Sequence, residues 1–197
     1  MANGRVCTGF SKPYVATYNE SQGTITYGAA TALARGVDVT ITPNTSSDND
    51  FYADNQLAES AGDVFIDGTF SLTVDGLKTA AEKLVMGLPA AVNDWTAHGD
   101  DQVIPYVGLG FITRYMEGGV TSYVPTVIAK CKFNRIENTA KTQEKEISFQ
   151  TQSLGGKIYR GDDEKHNWKY QGKEYSSESA AETALLAFMN PTPAVTT

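Results

Sequence analysis

Hydrophobic and polar residues alternate most regularly between Asp63 and Asp75. The two alternating sets are Val64, Ile66, Gly68, Phe70, Leu72 and Val74, which are apolar, and Phe65, Asp67, Thr69, Ser71 and Thr73, which are largely polar. A period of two predicts a β-strand with one face in a core. At a rise of about 3.3 Å per residue the strand would extend for about 40 Å, which favours a sheet larger than that of a small sandwich.

Several other segments have the pattern of strands. Alternation predicts strands over 37–42 and 146–152, with uncharged or acidic outer faces. Two longer runs, Val103–Tyr115 and Val120–Phe133, are rich in β-branched and aromatic residues and flank a turn at 117–119, which predicts a long hairpin. Pro105 and Pro125 should lie at a strand start, an edge or a bulge. Shorter strands are expected at 14–18, 24–27, 158–159 and 168–175, the last turning at Gln171-Gly172.

Two segments have the pattern of helices. The first, Thr79–Met86, begins with a capping box formed by Thr79 and Glu82 and stops at Gly87. The second begins at a similar box, Ser179-Ala-Ala-Glu182, and ends before Pro191. Its apolar stripe consists of Leu185, Leu186, Phe188 and Met189. The chain is therefore predicted to be mainly β, with one short helix and one C-terminal helix.

The segment Pro43–Gly62 has no convincing period and is rich in Asn, Asp and Ser. It predicts a loop of about twenty residues, and loops beyond about 12 to 15 residues are usually functional or mobile. Phe51, Tyr52 and Leu57 are apolar groups that a solvated loop does not need. They suggest burial against another surface, such as that of a second copy.

Composition narrows the classes of function. The 197 residues, 41% hydrophobic and 20% charged, suit one sizeable core and a single domain. A formal net charge of −7 disfavours a protein that grips nucleic-acid phosphates or anionic lipid. The sequence has neither a membrane-length apolar stretch nor a leader pattern, so we expect an unprocessed cytosolic product and no membrane partner.

Few residues are available for catalysis or metal binding. The two cysteines, Cys7 and Cys131, are too far apart for a CxxC pair, and we expect both to be reduced, with Cys131 in the core. His98 and His166 are the chain's two histidines, which leaves little material for a metal site or a Ser-His-Asp arrangement. We therefore predict no enzyme activity and no cofactor.

Four short motifs each have two interpretations. Asp48, Asn49, Asp50 and Asp54 offer oxygen ligands for calcium but lack the EF-hand spacing, so a solvated acidic turn is preferred. Asp100-Asp101 beside His98 resembles an acid/base pair, yet no activated nucleophile lies nearby. Gly108-Leu-Gly110 lacks the third glycine of a dinucleotide site and should relieve crowding on a sheet face. The basic and aromatic residues of 165–173 suggest a nucleic-acid platform or, preferably, an exposed hairpin covering the C-terminal helix.

Several motifs follow one another in a fixed order along the chain. They are Phe51-Tyr-Ala-Asp-Asn, Leu57-Ala-Glu-Ser, the strand Gly68–Leu77, Leu84-Val-Met-Gly87, Ala129-Lys-Cys-Lys-Phe133, Glu146-Ile-Ser-Phe-Gln-Thr151, and a Trp-containing hairpin before a Ser/Glu/Ala helix. In these motifs and their order, from about Lys12 to Met189, the chain resembles the major tail proteins of long-tailed bacteriophages. The likeness is one of overall pattern, since that family has no catalytic signature.

This resemblance implies a β-barrel or sandwich of the tail-tube type that forms hexameric rings stacked around a channel for DNA. It implies an N-terminal arm (1–11), an inter-subunit loop (43–62), a C-terminal hairpin and helix (161–189) and a flexible tail (190–197). It also implies a location in the virion, assembly in the bacterial cytoplasm, and contacts with a tape measure protein and with tail terminator and distal tail proteins. DNA would be a partner in transit only.

Site residues follow from that expectation. The loop contacts would be Phe51, Tyr52, Asp54 and Leu57. Because DNA must slide without sticking, a neutral or acidic lumen is preferable. Its candidate lining residues are Asp38, Asp63, Asp67, Ser71, Thr73 and Glu146. The alternative is a monomeric β-sandwich that binds carbohydrate through exposed Trp95, Trp168 and tyrosines.

Overall fold

A computed structural model describes residues 4–100, 102–142 and 149–190. In those ranges the chain forms eleven strands and two helices. In chain order they are β1 (Val6–Ser21), β2 (Thr24–Tyr27), β3 (Thr31–Ala32), β4 (Gly36–Thr45), β5 (Asn49–Ala53), β6 (Gln56–Ala61), β7 (Phe65–Val74), α1 (Thr79–Met86), β8 (Val107–Glu117), β9 (Val120–Phe133), β10 (Gln152–Tyr159), β11 (Lys169–Gln171) and α2 (Glu178–Met189). The mainly β prediction with two helices is confirmed.

Nine strands form one large antiparallel sheet in the order β2-β1-β8-β9-β10-β7-β4, with β3 paired to β1 and β11 paired to β9. The sheet is curled. Phe10 of β1 lies against Gly36 of β4, although these two strands are far apart in the strand order. Inward side chains of β1, β8 and β9 therefore share one core with those of β7 and β10. Helix α1 contributes Ala81, Val85 and Met86 to that core.

Helix α2 covers the opposite face of β1, β8 and β9. Ala181, Leu185 and Met189 pack there with Ala16, Ile112 and Val127 to form a second core. Residues 107–112 of β8 and 124–129 of β9 are buried on both faces, so these stretches are continuous runs without polar and apolar alternation. Gly110 makes the helix contact possible, since a Cβ there would lie 2.3 Å from the Met189 sulfur. The interpretation of Gly108 and Gly110 as relief of crowding is confirmed, because a Cβ at Gly108 would lie 2.5 Å from the Tyr27 ring.

The β8–β9 hairpin was predicted with the correct turn. Gly118 and Gly119 adopt φ angles of 55° and 84°, which glycine tolerates best. Strand β8, however, begins at Val107 rather than at Val103, so Pro105 precedes the strand. Pro125 lies inside β9 just beyond the end of β11, where its carbonyl accepts a hydrogen bond from the Gly172 N–H at 2.8 Å.

The helix bounds were predicted better than their caps. Helix α1 spans the predicted 79–86 and ends at Gly87, whose φ is 61°, but its N-cap is Lys78 and no side chain caps it. Helix α2 begins at Glu178, because the Ser177 hydroxyl accepts a hydrogen bond from the Ala180 N–H. Both predicted capping boxes are therefore wrong. Pro191 lies outside the described residues, and the helix ends at Met189 with Asn190 as its C-cap.

Three other expectations need correction. Of the segment expected to be an N-terminal arm, 1–11, the residues from Val6 onward belong to β1 and pair with β8 of the same chain. The predicted strand 146–152 lies partly outside the described residues, and the ladder begins only at Gln152. The predicted C-terminal hairpin does not form, because β11 pairs with β9 and Tyr175 forms a single bridge with Tyr123.

Candidate functional site

The segment predicted to be a loop contains a β-hairpin of its own. Strands β5 and β6 pair only with each other within the described ranges and form a separate two-stranded sheet. The turn between them, Asp54-Asn55, has φ angles of 52° and 61°, a left-handed conformation that Asp and Asn tolerate. The loop prediction for 43–62 is therefore wrong. Its alternation was invisible because neither face of the hairpin is buried against the rest of the chain.

Apolar side chains of this hairpin are exposed. Phe51 and Tyr52 are 62% exposed and Leu57 is 55% exposed. Asp54, the fourth residue predicted in this contact, lies at the turn. An isolated two-stranded hairpin is marginally stable in water, and exposed apolar groups of this size are typical of interaction surfaces.

The exposed apolar surface continues into the first residues of β7. The partner of Asn44 is Asp67 and the partner of Thr45 is Phe65, so Ile66 is an extra residue in a β-bulge. A bulge reverses the side-chain alternation. Phe65 consequently turns inward and stacks on Trp168 at 4.5 Å between ring centroids. Val64 and Ile66, which were predicted on the core face, are 52% and 51% exposed.

A polar face lies on the outer side of β4, β7 and β10. Asp38 pairs with Thr73, and Thr40 pairs with Ser71, whereas the neighbouring partners Val39 and Leu72 point toward the core. The same face continues into β10 through Ser153 and Lys157. Of the six predicted lining residues, Asp38, Asp67, Ser71 and Thr73 share this face. Asp63 precedes β7 with a φ of 57°, and Glu146 lies outside the described residues.

Lysines of β9 and β10 also contribute to this face, and the sequence analysis did not include them. Lys157 pairs with Lys132 across the ladder, and its ammonium lies 2.6 Å from the Asp67 carboxylate. The Lys157 hydrogen bond lowers the pKa of the Asp67 carboxyl, and the carboxylate in turn raises the pKa of Lys157. The face is therefore rich in hydroxyl groups and nearly balanced in charge rather than acidic.

A cluster of aromatic rings and lysines lies at the edge of that face. The Lys130 ammonium lies 4.7 Å from the Tyr106 ring centroid and 2.6 Å from the Asp162 carboxylate. Tyr18 donates a hydrogen bond to Asp162, and burial is the main cause that raises the pKa of Tyr18 to about 12. These residues come from distant segments of the chain, so no local sequence pattern predicts the cluster.

A cavity of about 690 Å³ lies at the other end of the β4–β7 pair from the hairpin. Its lining includes the basic residues Lys12, Arg35 and Lys78, and the apolar residues Pro13 and Leu33. Asp75 also lines it and accepts hydrogen bonds from the Arg35 backbone and side chain. These hydrogen bonds, chiefly that of the Arg35 side chain, lower the pKa of Asp75. No sequence pattern indicates this cavity, because its lining comes from three separate segments, 11–14, 32–36 and 75–78.

The structure shows the surroundings of most of the remaining candidate motifs. Asp50 accepts a hydrogen bond from the Ser60 hydroxyl at 2.6 Å, and Asp101 lies outside the described residues. In the described ranges, no three His, Cys, Asp or Glu side chains are arranged to hold a metal ion. Trp168 stacks on Phe65 and is half-buried, so it is not an open stacking platform. Cys131 is buried, and burial raises the pKa of its thiol.

Neither α1 nor α2, the helices of the described residues, is long and apolar enough to cross a membrane. No protein-family model matches this sequence. A search of curated proteins likewise finds no match.

Proposed function

We propose that this protein is a structural subunit of the tail tube of a long-tailed bacteriophage. In this proposal it has no chemistry of its own and assembles into hexameric rings that stack into a channel for DNA. The observation that carries the proposal is the β5–β6 hairpin, which exposes Phe51, Tyr52 and Leu57. A hairpin without a core of its own is stabilised when a neighbouring copy covers it.

The outer edge of β4 supports self-assembly as well. Among the described residues β4 pairs only with β7, which leaves a row of backbone N–H and C=O groups at the other edge. Long unpaired edges template pairing with another chain, and a closed ring of strands removes them. In the proposed ring, β4 would pair with a strand of the adjacent subunit.

The polar face of β4, β7 and β10 is the proposed lumen surface. Its hydroxyl groups, including those of Thr40, Ser71 and Thr73, are uncharged. Lys157 faces the Asp67 carboxylate at 2.6 Å, so that part of its charge is neutralised before DNA arrives. Proteins hold DNA through lysines and arginines that displace counterions from phosphates. A face with few unpaired cations is therefore suited to the passage of DNA.

Assembly of the full-length protein tests the proposal. Negative-stain microscopy and sedimentation at rising concentration should show rings or tubes of the wild-type chain. The hairpin can be excised because Ser46 and Val64 are hydrogen-bonded, at 2.8 Å from N to O. Replacing 47–63 by an Asn-Gly turn should leave the melting temperature nearly unchanged and abolish tubes.

The control for that experiment keeps the apolar character of the hairpin. Phe51→Leu combined with Leu57→Met should assemble like the wild type. A wild-type chain that remains monomeric at every concentration would contradict the proposal, and an excised chain that still forms tubes would contradict the role of the hairpin. Loss of folding on excision would show that the hairpin belongs to the core.

A carbohydrate-binding module is the second candidate. It is favoured by Trp95, which is 81% exposed, since exposed aromatic rings suit stacking on sugars. Trp168 does not support this candidate because it stacks on Phe65. This alternative would be supported over the tube if the wild-type protein were a monodisperse monomer that binds glycans and the Trp95→Ala variant did not bind them.

A further inference from the structure

The hairpin and the basic cavity lie at opposite ends of the same pair of strands. Strand β4 runs from Gly36, at the cavity, to Thr45, next to the hairpin, and β7 returns from Phe65 to Val74 beside it. At about 3.3 Å per residue, ten residues of β4 separate the two features by about 30 Å. One copy therefore presents the hairpin at one end and the cavity at the other.

The two features carry opposite charge. From 36 to 77 the chain has no lysine or arginine, and the hairpin segment carries five carboxylates. They are Asp48, Asp50, Asp54, Glu59 and Asp63. The cavity has the three cationic side chains of Lys12, Arg35 and Lys78 against one lining carboxylate, Asp75. Two further carboxylates lie beside this lining: Glu182 pairs with Lys12 at 3.2 Å, and Glu178 accepts a hydrogen bond from the Ser11 hydroxyl.

The basic side chains remain accessible despite these internal pairs. The side chain of Arg35 is 90% exposed and that of Lys12 is 44% exposed. Ion pairs this exposed contribute little to stability, so a new partner displaces them at low cost. Ala32 and Ala34 supply the accessible apolar lining beside the charges, whereas Pro13 and Leu33 lie buried beneath it. The cavity thus offers both contacts that an acidic, aromatic hairpin needs.

We propose that the hairpin of one copy docks into the cavity formed around Lys12, Arg35 and Lys78 of the next copy. This inference rests on the proposed function and names the surface of the neighbour that receives the hairpin. Contacts between different patches at opposite ends are heterologous, and they remain open-ended when rotation does not close them. Each added copy leaves one free hairpin and one free cavity, which suits growth of a tube by stacking.

Charge reversal on the full-length chain tests the docking. A hairpin variant, Asp50→Lys with Glu59→Lys, places cations against the native basic cavity. A cavity variant, Arg35→Glu with Lys78→Glu, places carboxylates against the native acidic hairpin. Each variant alone should lose sedimenting tubes at least tenfold in yield. The matched control, Lys165→Glu with Lys173→Glu, alters two exposed lysines outside both features and should assemble normally.

Mixing distinguishes docking from nonspecific loss of assembly. An equimolar mixture of the two variants pairs each altered surface with an oppositely charged one, so tubes containing both variants should reappear. The chain that carries all four substitutions should also assemble. The docking proposal is overturned if either single-surface variant forms tubes like the wild type, or if neither the mixture nor the fourfold variant restores them. A wild-type chain that never assembles overturns the proposed function itself, together with this inference.

Discussion

Gly155 and Gly156 are neighbours in β10, yet their surroundings differ. A Cβ on Gly156 would lie 2.3 Å from the Phe70 ring and 2.5 Å from the Lys132 carbonyl oxygen. A Cβ on Gly155 would meet its nearest atom, in Asn134, at 3.5 Å. Successive residues of a strand face opposite sides, so Gly156 faces the core while Gly155 faces the polar surface.

Two single substitutions test this difference. Gly156→Ala should lower the free energy of unfolding by about 1 to 3 kcal/mol, the usual cost of overpacking. Gly155→Ala should change it little, because the added methyl group has ordinary van der Waals space. Chemical denaturation of both variants measures the two effects, and equal destabilisation would contradict the packing described for β10.

At the scale of elements, α2 is attached to β1 by polar contacts as well as by its apolar face. The Tyr14 hydroxyl donates a hydrogen bond to Glu182 at 2.6 Å, and Lys12 pairs with the same carboxylate. The Tyr14 hydrogen bond is the main cause that lowers the pKa of Glu182 below its ordinary value of 4.5. The folded protein therefore favours the ionised form of Glu182.

This coupling predicts a pH dependence of stability. A carboxyl whose pKa is lower in the folded state stabilises the protein above its unfolded pKa, and that stabilisation is lost as the pH falls through the folded pKa. Glu182→Gln should therefore reduce the melting temperature at pH 7, and the deficit relative to the wild type should shrink as the pH falls below 4.5. Glu137→Gln, at an exposed position, is the control. A deficit that stays constant with pH would rule out this coupling.

At the scale of the whole molecule, the sheet separates an enclosed core from a polar outer face. Leu72 is fully buried, whereas its neighbour Ser71 is exposed on the face that the tube proposal directs to the lumen. Whether that face becomes interior depends on assembly, so its accessibility should change between monomer and tube.

A cysteine reporter measures that change. Ser71→Cys in a Cys7→Ser background leaves Cys131 as the other thiol, and Cys131 is buried. A small maleimide should label the reporter in monomers and in tubes, whereas a large polyethylene-glycol maleimide should label only monomers. Labelling of intact tubes by the large reagent would place the face outside and contradict the proposed lumen.

The sequence predicted several elements that pack one face on the core, but it located only 14–18 of β1 and only 152 and 158–159 of β10. Strand β9 and helix α1 were located at their observed bounds, because β9 starts directly after the turn glycines 118–119 and α1 stops at the capping glycine Gly87. The hairpin β5–β6 was not predicted, because all described side chains of β6 are exposed and its sequence therefore has no alternation of polar and apolar residues. The bulge at Ile66 was also missed, since an inserted residue reverses the facing of side chains without changing their composition.

The candidate sites divide in the same way. Phe51, Tyr52 and Leu57 were recognisable from sequence because apolar groups in a polar segment call for a partner. The Lys157–Asp67 pair, and the shared cavity of Lys12 and Arg35, were not recognisable because each joins segments far apart in the chain. The charge balance of a surface depends on such neighbours. The lining predicted from single strands was therefore acidic or neutral and did not include the lysines that the fold brings to the same face.

The sequence by itself determined the β class, the burial of one side of β7 and β4, and the lack of material for His- or Cys-based chemistry. These properties depend on local periodicity and on composition. The tertiary structure alone decided that the hairpin and the basic cavity occupy opposite ends of β4 and β7, and that hydroxyl groups and paired charges share one face. Those properties depend on strand order and register, because antiparallel pairing brings distant residues together in a way that local pattern does not specify.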